Sequence, residues 1–139
     1  MRLWHIDLIP YLPKSQLLAQ WRELNSIFKK QDKHILINYV YNYDKTYLTN
    51  YTYKVLEEMK KTKIKLQSYK NLLLYLGKCF IYPNDPILSL RFAEHNNEYL
   101  TICYYNLKEK YIRGQKDFTD DVWDKLDEFY KKEIANDSN

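Results

Sequence analysis

The sequence predicts an all-α fold, a single compact helical domain of about five helices. The first observation is that the chain of 139 residues contains only 2 Gly and 4 Pro. The second is that its apolar residues recur over long segments at the spacing of an amphipathic helix. The third is size, because this length at 45% hydrophobic composition suffices for one core and leaves little for a second. Residues 1–139 are therefore expected to form one domain.

The first helix is predicted to begin after Pro13 and to carry one apolar stripe. The stripe consists of Leu17, Trp21, Leu24 and Phe28, which recur every three or four residues. We expect this helix to continue through His34 and to be followed by irregular chain. The alternation of apolar residues from Ile35 to Tyr43 is also typical of a strand, but a lone strand would have nothing to pair with.

Four further helices are predicted from apolar periodicity and from residues that start or stop helices. They cover about residues 47–61, 66–76, 97–112 and 119–135. Asp44 or Thr46 is the candidate cap of the first of these, Gly77 and Gly114 follow the ends of two others, and the chain must turn around Pro83–Pro86. The helix at 66–76 is expected to bury Leu66, Tyr69, Leu72, Leu73 and Leu76.

Charge is distributed unevenly along the chain. Residues 1–116, the basic helical body, contain 19 Lys or Arg against 10 Asp or Glu, a net charge of +9. Residues 117–139, the acidic last helix, contain 3 against 8, a net charge of −5. A basic body suits a polyanion such as nucleic acid, because each neutralised phosphate releases a condensed counterion. Many proteins that bind no nucleic acid carry similar charge, and the acidic helix could lie beside the basic surface or away from it.

Several features indicate the compartment. No stretch approaches the roughly 20 apolar residues that span a bilayer, so no membrane association is expected. Asp7 lies inside the opening apolar segment and Pro10 and Pro13 follow it, which argues against a secretory peptide. Cys79 and Cys103 are too few for a disulfide framework or a zinc site. We expect a cytoplasmic, monomeric protein with reduced thiols.

The signatures of common enzyme classes are missing from the sequence. It contains no GxxxxGK[ST] phosphate loop, no GxGxxG, no GxSxG and no HExxH. The 3 His, at positions 5, 34 and 95, are too far apart to specify a metal site by their spacing. The sequence therefore predicts neither a metal nor a cofactor.

One flank of the first helix carries a mostly polar row beside the apolar stripe. At 100° per residue this row consists of Gln16, Gln20, Glu23, Ile27, Lys30 and His34. Glu23 is thus a carboxylate at the border of the core, where desolvation raises a pKa and suits proton transfer. Arg22 points about 100° away, and a straight helix would put His34 roughly 16 Å from Glu23. From the pattern alone, a solvated surface carboxylate is the simpler interpretation of Glu23.

The segment from Ser15 to Leu24, SQLLAQWREL, resembles the first helix of the pyrimidine-dimer DNA glycosylases, the phage-type ultraviolet endonucleases. Phe28, Lys33 and His34 match later positions of that family without a gap. A bacterial branch of the family is more similar still, since it begins with the same Met-Arg-Leu-Trp-His. The other elements shared with that branch are Lys33, His34, Asn38, Tyr39 and Val40, and then Glu94, His95, Asn96, Glu98 and Tyr99. The resemblance covers about residues 1–112.

The resemblance implies a helical fold, glycosidic cleavage at a damaged pyrimidine, and strand scission at the resulting abasic site. It further implies that the free α-amine attacks the sugar C1′ to give a Schiff base and that Glu23 is the acid/base. The ordinary pKa of an α-amine, about 7.7–8.0, leaves a share of it unprotonated near neutral pH. Because Arg2 is too bulky to permit removal of the initiator, Met1 is expected to present the amine and Arg2 to contact a phosphate.

The implied partner is double-stranded DNA with damaged or abasic sites. Substrate contacts are expected from Arg2, Gln16, Arg22, Lys33, His34 and His95. Two departures from the family concern lesion recognition more than lyase chemistry: Ser26 replaces a basic residue one turn after Glu23, and residues 117–139 are acidic where the family has an aromatic, basic segment. His95 has an equal structural alternative, since it precedes a predicted helix with Asn96 as cap. A non-catalytic DNA-binding domain and a protein-interaction module that uses the acidic helix remain alternative functions.

Overall fold

Five α-helices form the framework of the protein in a computed structural model that describes residues 1–31, 33–66, 68–77 and 90–137. They are α1 (Lys14–Lys29), α2 (Lys45–Lys61), α3 (Lys70–Leu76), α4 (Asn97–Ile112) and α5 (Asp120–Asp137). Two short 3₁₀ helices, Ile6–Tyr11 and Asn38–Asn42, precede α1 and α2. No strand occurs in the described ranges. The predicted all-α fold class is confirmed.

The core forms where these helices meet. α1 packs against α2 and α3, α4 packs against α5, and the first 3₁₀ helix contacts both α2 and α5. The stripe predicted on α1 is confirmed, because Leu17, Trp21, Leu24 and Phe28 are all buried. Each large apolar side chain removed from water in this way contributes about 1.5–3 kcal/mol. None of the helices in the described part of the chain is both long and apolar enough to cross a membrane.

α1 ends earlier than the sequence predicts. Its last residue is Lys29, and Lys30 is already extended, so the expected continuation through His34 is wrong. The chain instead makes a turn over residues 34–37, closed by a hydrogen bond from Ile37 N to His34 O at 3.0 Å. Ile37, which is fully buried, is drawn into the core by this turn. The straight-helix separation between Glu23 and His34 therefore does not apply.

The other helix ends follow mostly from their capping residues. Asp44 caps α2 by accepting a hydrogen bond from a backbone N–H at 3.0 Å, so the cap is Asp44 and not Thr46. Asn96 caps α4 in the same way at 2.9 Å, and α4 has the predicted bounds. Gly77 and Gly114 follow α3 and α4 with φ of +56° and +88°, a conformation that glycine adopts without strain.

α3 differs from its prediction in both length and burial. It begins at Lys70 rather than near residue 66. Of the five apolar side chains expected inside, Leu72 is buried, Leu66 and Leu76 are partly buried against the core, and Tyr69 and Leu73 are exposed. Leu73 is 64% exposed. A helix of 7 residues presents only two turns, so one side of it suffices to cover its neighbour α1. The predicted turn at Pro83–Pro86 and the residue Cys79 lie outside the described residues.

The acidic carboxyl-terminal segment is packed against the rest of the chain. Pro13 at the start of α1 offers no side-chain cap, and the carboxylate of Asp117 replaces one by accepting from Ser15 N at 2.7 Å and Ser15 Oγ at 2.8 Å. Desolvation raises the pKa of Asp117, but these hydrogen bonds outweigh it and lower the pKa overall. On α4 and α5, the rings of Tyr104 and Tyr130 stack with centroids 3.8 Å apart.

Candidate active site

A buried hydrogen-bond network holds the amino-terminal segment against α1 and α2. Its centre is the side-chain amide of Gln20, which is 1% exposed. The oxygen Oε1 accepts hydrogen bonds from Trp4 N and from the Tyr51 hydroxyl, both at 2.8 Å. The nitrogen Nε2 donates to Arg2 O and to Glu23 Oε2, both at 3.1 Å. All four hydrogen-bonding positions of the amide are therefore used.

Tyr51 completes the network from α2. Its single hydroxyl hydrogen is shared between Gln20 Oε1 and Trp4 O, the latter at 2.7 Å, and the side chain is fully buried. Burial raises the pKa of Tyr51 well above its ordinary value, so the hydroxyl stays protonated and remains a donor. Together, Gln20 and Tyr51 bind both backbone polar groups of Trp4 and fix the direction in which residues 1–3 leave the core.

Glu23 lies where this amino-terminal segment meets α1. Its carboxylate is half-buried and accepts a hydrogen bond from Arg2 N at 3.4 Å as well as the one from Gln20. Desolvation raises the pKa of Glu23; the Arg2 N–H, the positive amino terminus, the Gln20 amide and the Arg2 guanidinium oppose that rise only in part. The carboxylate thus lies at the border of the core, on the flank where the helical spacing put it.

A cleft of about 310 Å³ opens between the amino terminus, α1 and α4. It is lined among others by Met1, Arg2, Glu23, Asn106 and Lys110, so that two cationic side chains flank one carboxylate. Larger clefts of about 590 and 960 Å³ border α2, but neither is lined by Met1 or Glu23. The described residues contain no group of three or more His, Cys, Asp or Glu that could hold a metal ion.

The predicted substrate contacts divide between this cleft and other parts of the surface. Arg2 lines the cleft, and its guanidinium lies 5.8 Å from the ring centroids of Trp4 and of Tyr99. Gln16 also lines the cleft, and its Nε2 donates to Gln115 Oε1 at 2.8 Å. Arg22 is exposed on α1 and is not among the residues lining the cleft.

The predicted contacts Lys33 and His34 lie near the cleft rather than in it. Both side chains are exposed, and Leu36, two residues further on, is a lining residue. The hydrogen bond from Leu36 N to His34 Nδ1, at 3.1 Å, connects the two positions. The early end of α1 is what brings this part of the chain back towards the amino terminus.

His95 is placed in the core, which favours the structural alternative over a substrate contact. It is 3% exposed, its Nδ1 accepts from Ile6 N at 3.0 Å, and its Nε2 is 2.8 Å from the Tyr39 hydroxyl. Its ring stacks on that of His5 at 5.4 Å. Burial, the largest cause in each case, lowers the pKa of His5 to about 4 and that of His95 to about 3, so both rings are neutral at neutral pH.

The sequence reasoning missed two kinds of residue at this site. Asn106 and Lys110 lie on α4, and no local pattern connects them with Glu23. Gln20 lies in the polar row predicted beside the apolar stripe but has no role assigned there, and Tyr51 is not singled out by the sequence. The available signal for Gln20 was its side-chain amide at the border of the core. A buried amide needs a hydrogen-bond partner for each polar atom, which indicates a network around it.

Comparison with protein families matches residues 1–71 to the family described as pyrimidine dimer DNA glycosylase. No curated protein and no solved structure matched the chain. The matched half includes α1 and α2, and with them Gln20, Glu23 and Tyr51. The family is one of DNA repair enzymes with DNA as substrate, and the likeness to its bacterial branch stays a prediction. From the family match and the helical fold together, the chain belongs to the pyrimidine dimer DNA glycosylase family.

Proposed function

We propose that the protein is a DNA repair glycosylase with abasic-site lyase activity, in which the α-amine of Met1 is the nucleophile and Glu23 the acid/base. The observation that carries the proposal is the hydrogen bond from Arg2 N to Glu23 Oε2, 3.4 Å long, at a cleft that Met1 lines. An amine and a carboxylate facing one small cleft are the two groups that Schiff-base formation and proton removal require.

In the proposed reaction the amine lone pair forms a bond to C1′ while the glycosidic bond breaks and its electron pair leaves with the base, which takes up a proton. The nitrogen then loses one proton, and its lone pair expels the ring oxygen, which is protonated, to give a protonated Schiff base. At an abasic site, where no base remains, the amine instead adds to the C1′ aldehyde and the C1′ oxygen leaves as water to give the same Schiff base. The Glu23 carboxylate removes the C2′ proton, and the electrons of that C–H bond form the C2′–C3′ double bond and expel the 3′ phosphate. Water hydrolyses the Schiff base and restores the amine.

The electrostatics of the cleft support these roles. A carboxyl group whose pKa burial has raised gives and takes protons closer to neutral pH than a solvated one. Arg2 and Lys110 line the same cleft, and we propose that they contact phosphates on either side of the reacting sugar. No step in the scheme requires a metal ion or an organic cofactor.

We further propose that abasic sites, rather than cyclobutane dimers, are the lesion processed most readily. Ser26 is exposed one turn after Glu23, where the resemblance leads to an expected cation, and the acidic segment from Asp117 onward is packed on the body. Both features reduce the positive surface available to hold a distorted duplex. The chemistry at C1′ depends on neither.

Trapping with borohydride tests the proposal. Incubation with a duplex that contains one abasic site should give a covalent adduct, and peptide mass mapping should locate it at Met1. Protein acetylated at its α-amine is the matched control and should form none. If protein with a free α-amine, verified by intact mass, forms no adduct yet binds DNA in a salt-dependent way, the non-catalytic DNA-binding alternative replaces the proposal.

A further inference from the structure

We infer that the turn over residues 34–37 is a wedge that enters the duplex beside the reacting nucleotide, with Ile35 and Leu36 as its tip. This inference rests on the proposed function, because it concerns how the same cleft would gain access to a sugar inside stacked DNA. An enzyme that reacts with a sugar inside a duplex must open the base stack around that sugar, at a cost of a few kcal/mol.

The turn is ordered and has an unusual composition. Ile37 N donates to His34 O at 3.0 Å, and Leu36 N donates to His34 Nδ1 at 3.1 Å. The backbone and the side chain of His34 therefore both stabilise the turn. Its two central positions are Ile35, 79% exposed, and Leu36, 41% exposed. Turn corners favour Gly, Pro, Asn, Asp and Ser, which tolerate the backbone geometry and water. Two exposed aliphatic side chains there contribute little to folding.

The position of the turn connects this tip with the proposed chemistry. Leu36 lines the cleft together with Met1 and Glu23. The next residue, Ile37, is fully buried and anchors the turn in the core. Leu and Ile are among the side chains that proteins insert between base steps, where they replace the lost stacking with apolar contact. A hydrogen-bonded aliphatic corner beside the reacting groups therefore suits the gap in the base stack at the reacting nucleotide.

The surrounding charge favours DNA as the occupant over a protein partner. Lys29, Lys30 and Lys33 precede the tip, and all three side chains are exposed. Cations beside an apolar tip can bind the phosphates that flank the inserted step. An apolar surface that recognises a protein partner is more often depleted of lysine.

The experiment compares duplex with single-stranded DNA. The rate of borohydride-trapped adduct is measured for wild type and Ile35→Ala on one abasic strand, alone and annealed to its complement. The ratio of duplex rate to single-strand rate should fall about tenfold in Ile35→Ala, because only in the duplex must stacked base pairs be parted around the abasic sugar. Ile112→Ala is the matched control, since Ile112 is 69% exposed on α4 and outside the cleft lining.

A second readout does not depend on catalysis. The fluorescence of 2-aminopurine placed beside a non-cleavable abasic analogue should rise when wild type or Ile112→Ala binds. The rise on binding Ile35→Ala should be less than half as large. An unchanged rate ratio with an unchanged fluorescence gain in Ile35→Ala would overturn the wedge while leaving the adduct chemistry in place. Absence of any adduct from wild type would instead defeat the proposed function, and the fluorescence would still decide on the wedge.

Discussion

The network around Gln20 and the contact between α4 and α5 both use tyrosine, but they use different parts of the side chain. At the amino terminus the Tyr51 hydroxyl makes the decisive contacts, with Trp4 O and Gln20 Oε1. Between α4 and α5 the rings make them, as in the stack of Tyr104 on Tyr130 with an interplanar angle of 11°. Hydrogen bonds are directional, whereas stacked rings tolerate sliding. The first region is therefore suited to positioning reactive groups, and the second to stabilising the fold.

The two regions also differ in what a lost contact leaves behind. Removing the Gln20 amide would take a partner from the buried Trp4 N and from the partly buried Arg2 O, and leaving the buried N–H unpaired is costly. Removing a hydroxyl from the α4–α5 contact leaves the ring stack intact. Substitutions around Gln20 are therefore expected to cost more than substitutions between α4 and α5.

Glu23→Gln should have the largest effect on activity and almost none on stability. Glutamine keeps the size of the side chain and an oxygen that can accept from Arg2 N, but it cannot take the C2′ proton. Strand cleavage at an abasic site should fall by about 10²- to 10⁴-fold, with DNA binding retained. The free energy of unfolding should change by less than about 1 kcal/mol. Cleavage at the wild-type rate would remove Glu23 from the mechanism.

Gln20→Ala should impair stability and activity together. It removes four hydrogen bonds and orphans Trp4 N, and we expect a loss of about 3 kcal/mol in urea unfolding. The rate of adduct formation should fall as well, since the amino terminus loses its anchor. Gln16→Ala is the control for stability, because Gln16 makes a partly buried hydrogen bond to Gln115. Its free energy of unfolding should fall by less than half as much as that of Gln20→Ala. Equal losses in both variants would contradict a positioning role for Gln20.

Acid should destabilise the protein through its two buried histidines. Burial lowers the pKa of His5 to about 4 and of His95 to about 3, against about 6.5 in an unfolded chain. The unfolded state therefore binds more protons between those values. The contribution of the two neutral rings to the free energy of unfolding is fully present above pH 6.5. It decreases as the pH is lowered, by up to about 1.4 kcal/mol per pH unit for each histidine.

Glu23 works in the opposite direction, because its raised pKa makes the folded state bind a proton more readily. Urea unfolding at several pH values between about 7 and 5 measures the net slope. His95→Gln should remove about half of the histidine contribution. An unchanged slope in that variant would show that the buried ring is not the source.

Tyr104→Phe should have the smallest effect. It keeps the stack on Tyr130 and removes only the hydrogen bond from the Tyr104 hydroxyl to Asp127. The expected loss is about 0.5–1 kcal/mol in thermal or urea unfolding, with no change in adduct formation. A large fall in adduct formation would show that the α4–α5 contact also positions the cleft, through Asn106 and Lys110.

Most helices, and the helix face on which Glu23 lies, follow from signals local to the sequence. Asp44 and Asn96 cap the first turns of their helices through partners two or three residues away, and apolar periodicity is likewise a property of neighbours on one helix. Such signals are readable because helical contacts repeat within a few residues. Glu23 was identified as a border carboxylate for the same reason.

The end of α1, the exposed side of α3 and the surroundings of Glu23 depend instead on contacts between distant parts of the chain. Tyr51 and Gln20 are 31 residues apart, and Asp117 caps α1 across 102 residues. α1 does not continue through His34, and Ile37 is buried in the core instead. His95 is buried as well and is not on the surface. These contacts depend on which elements meet in space, and a helix carries no local signal for a partner so distant in sequence.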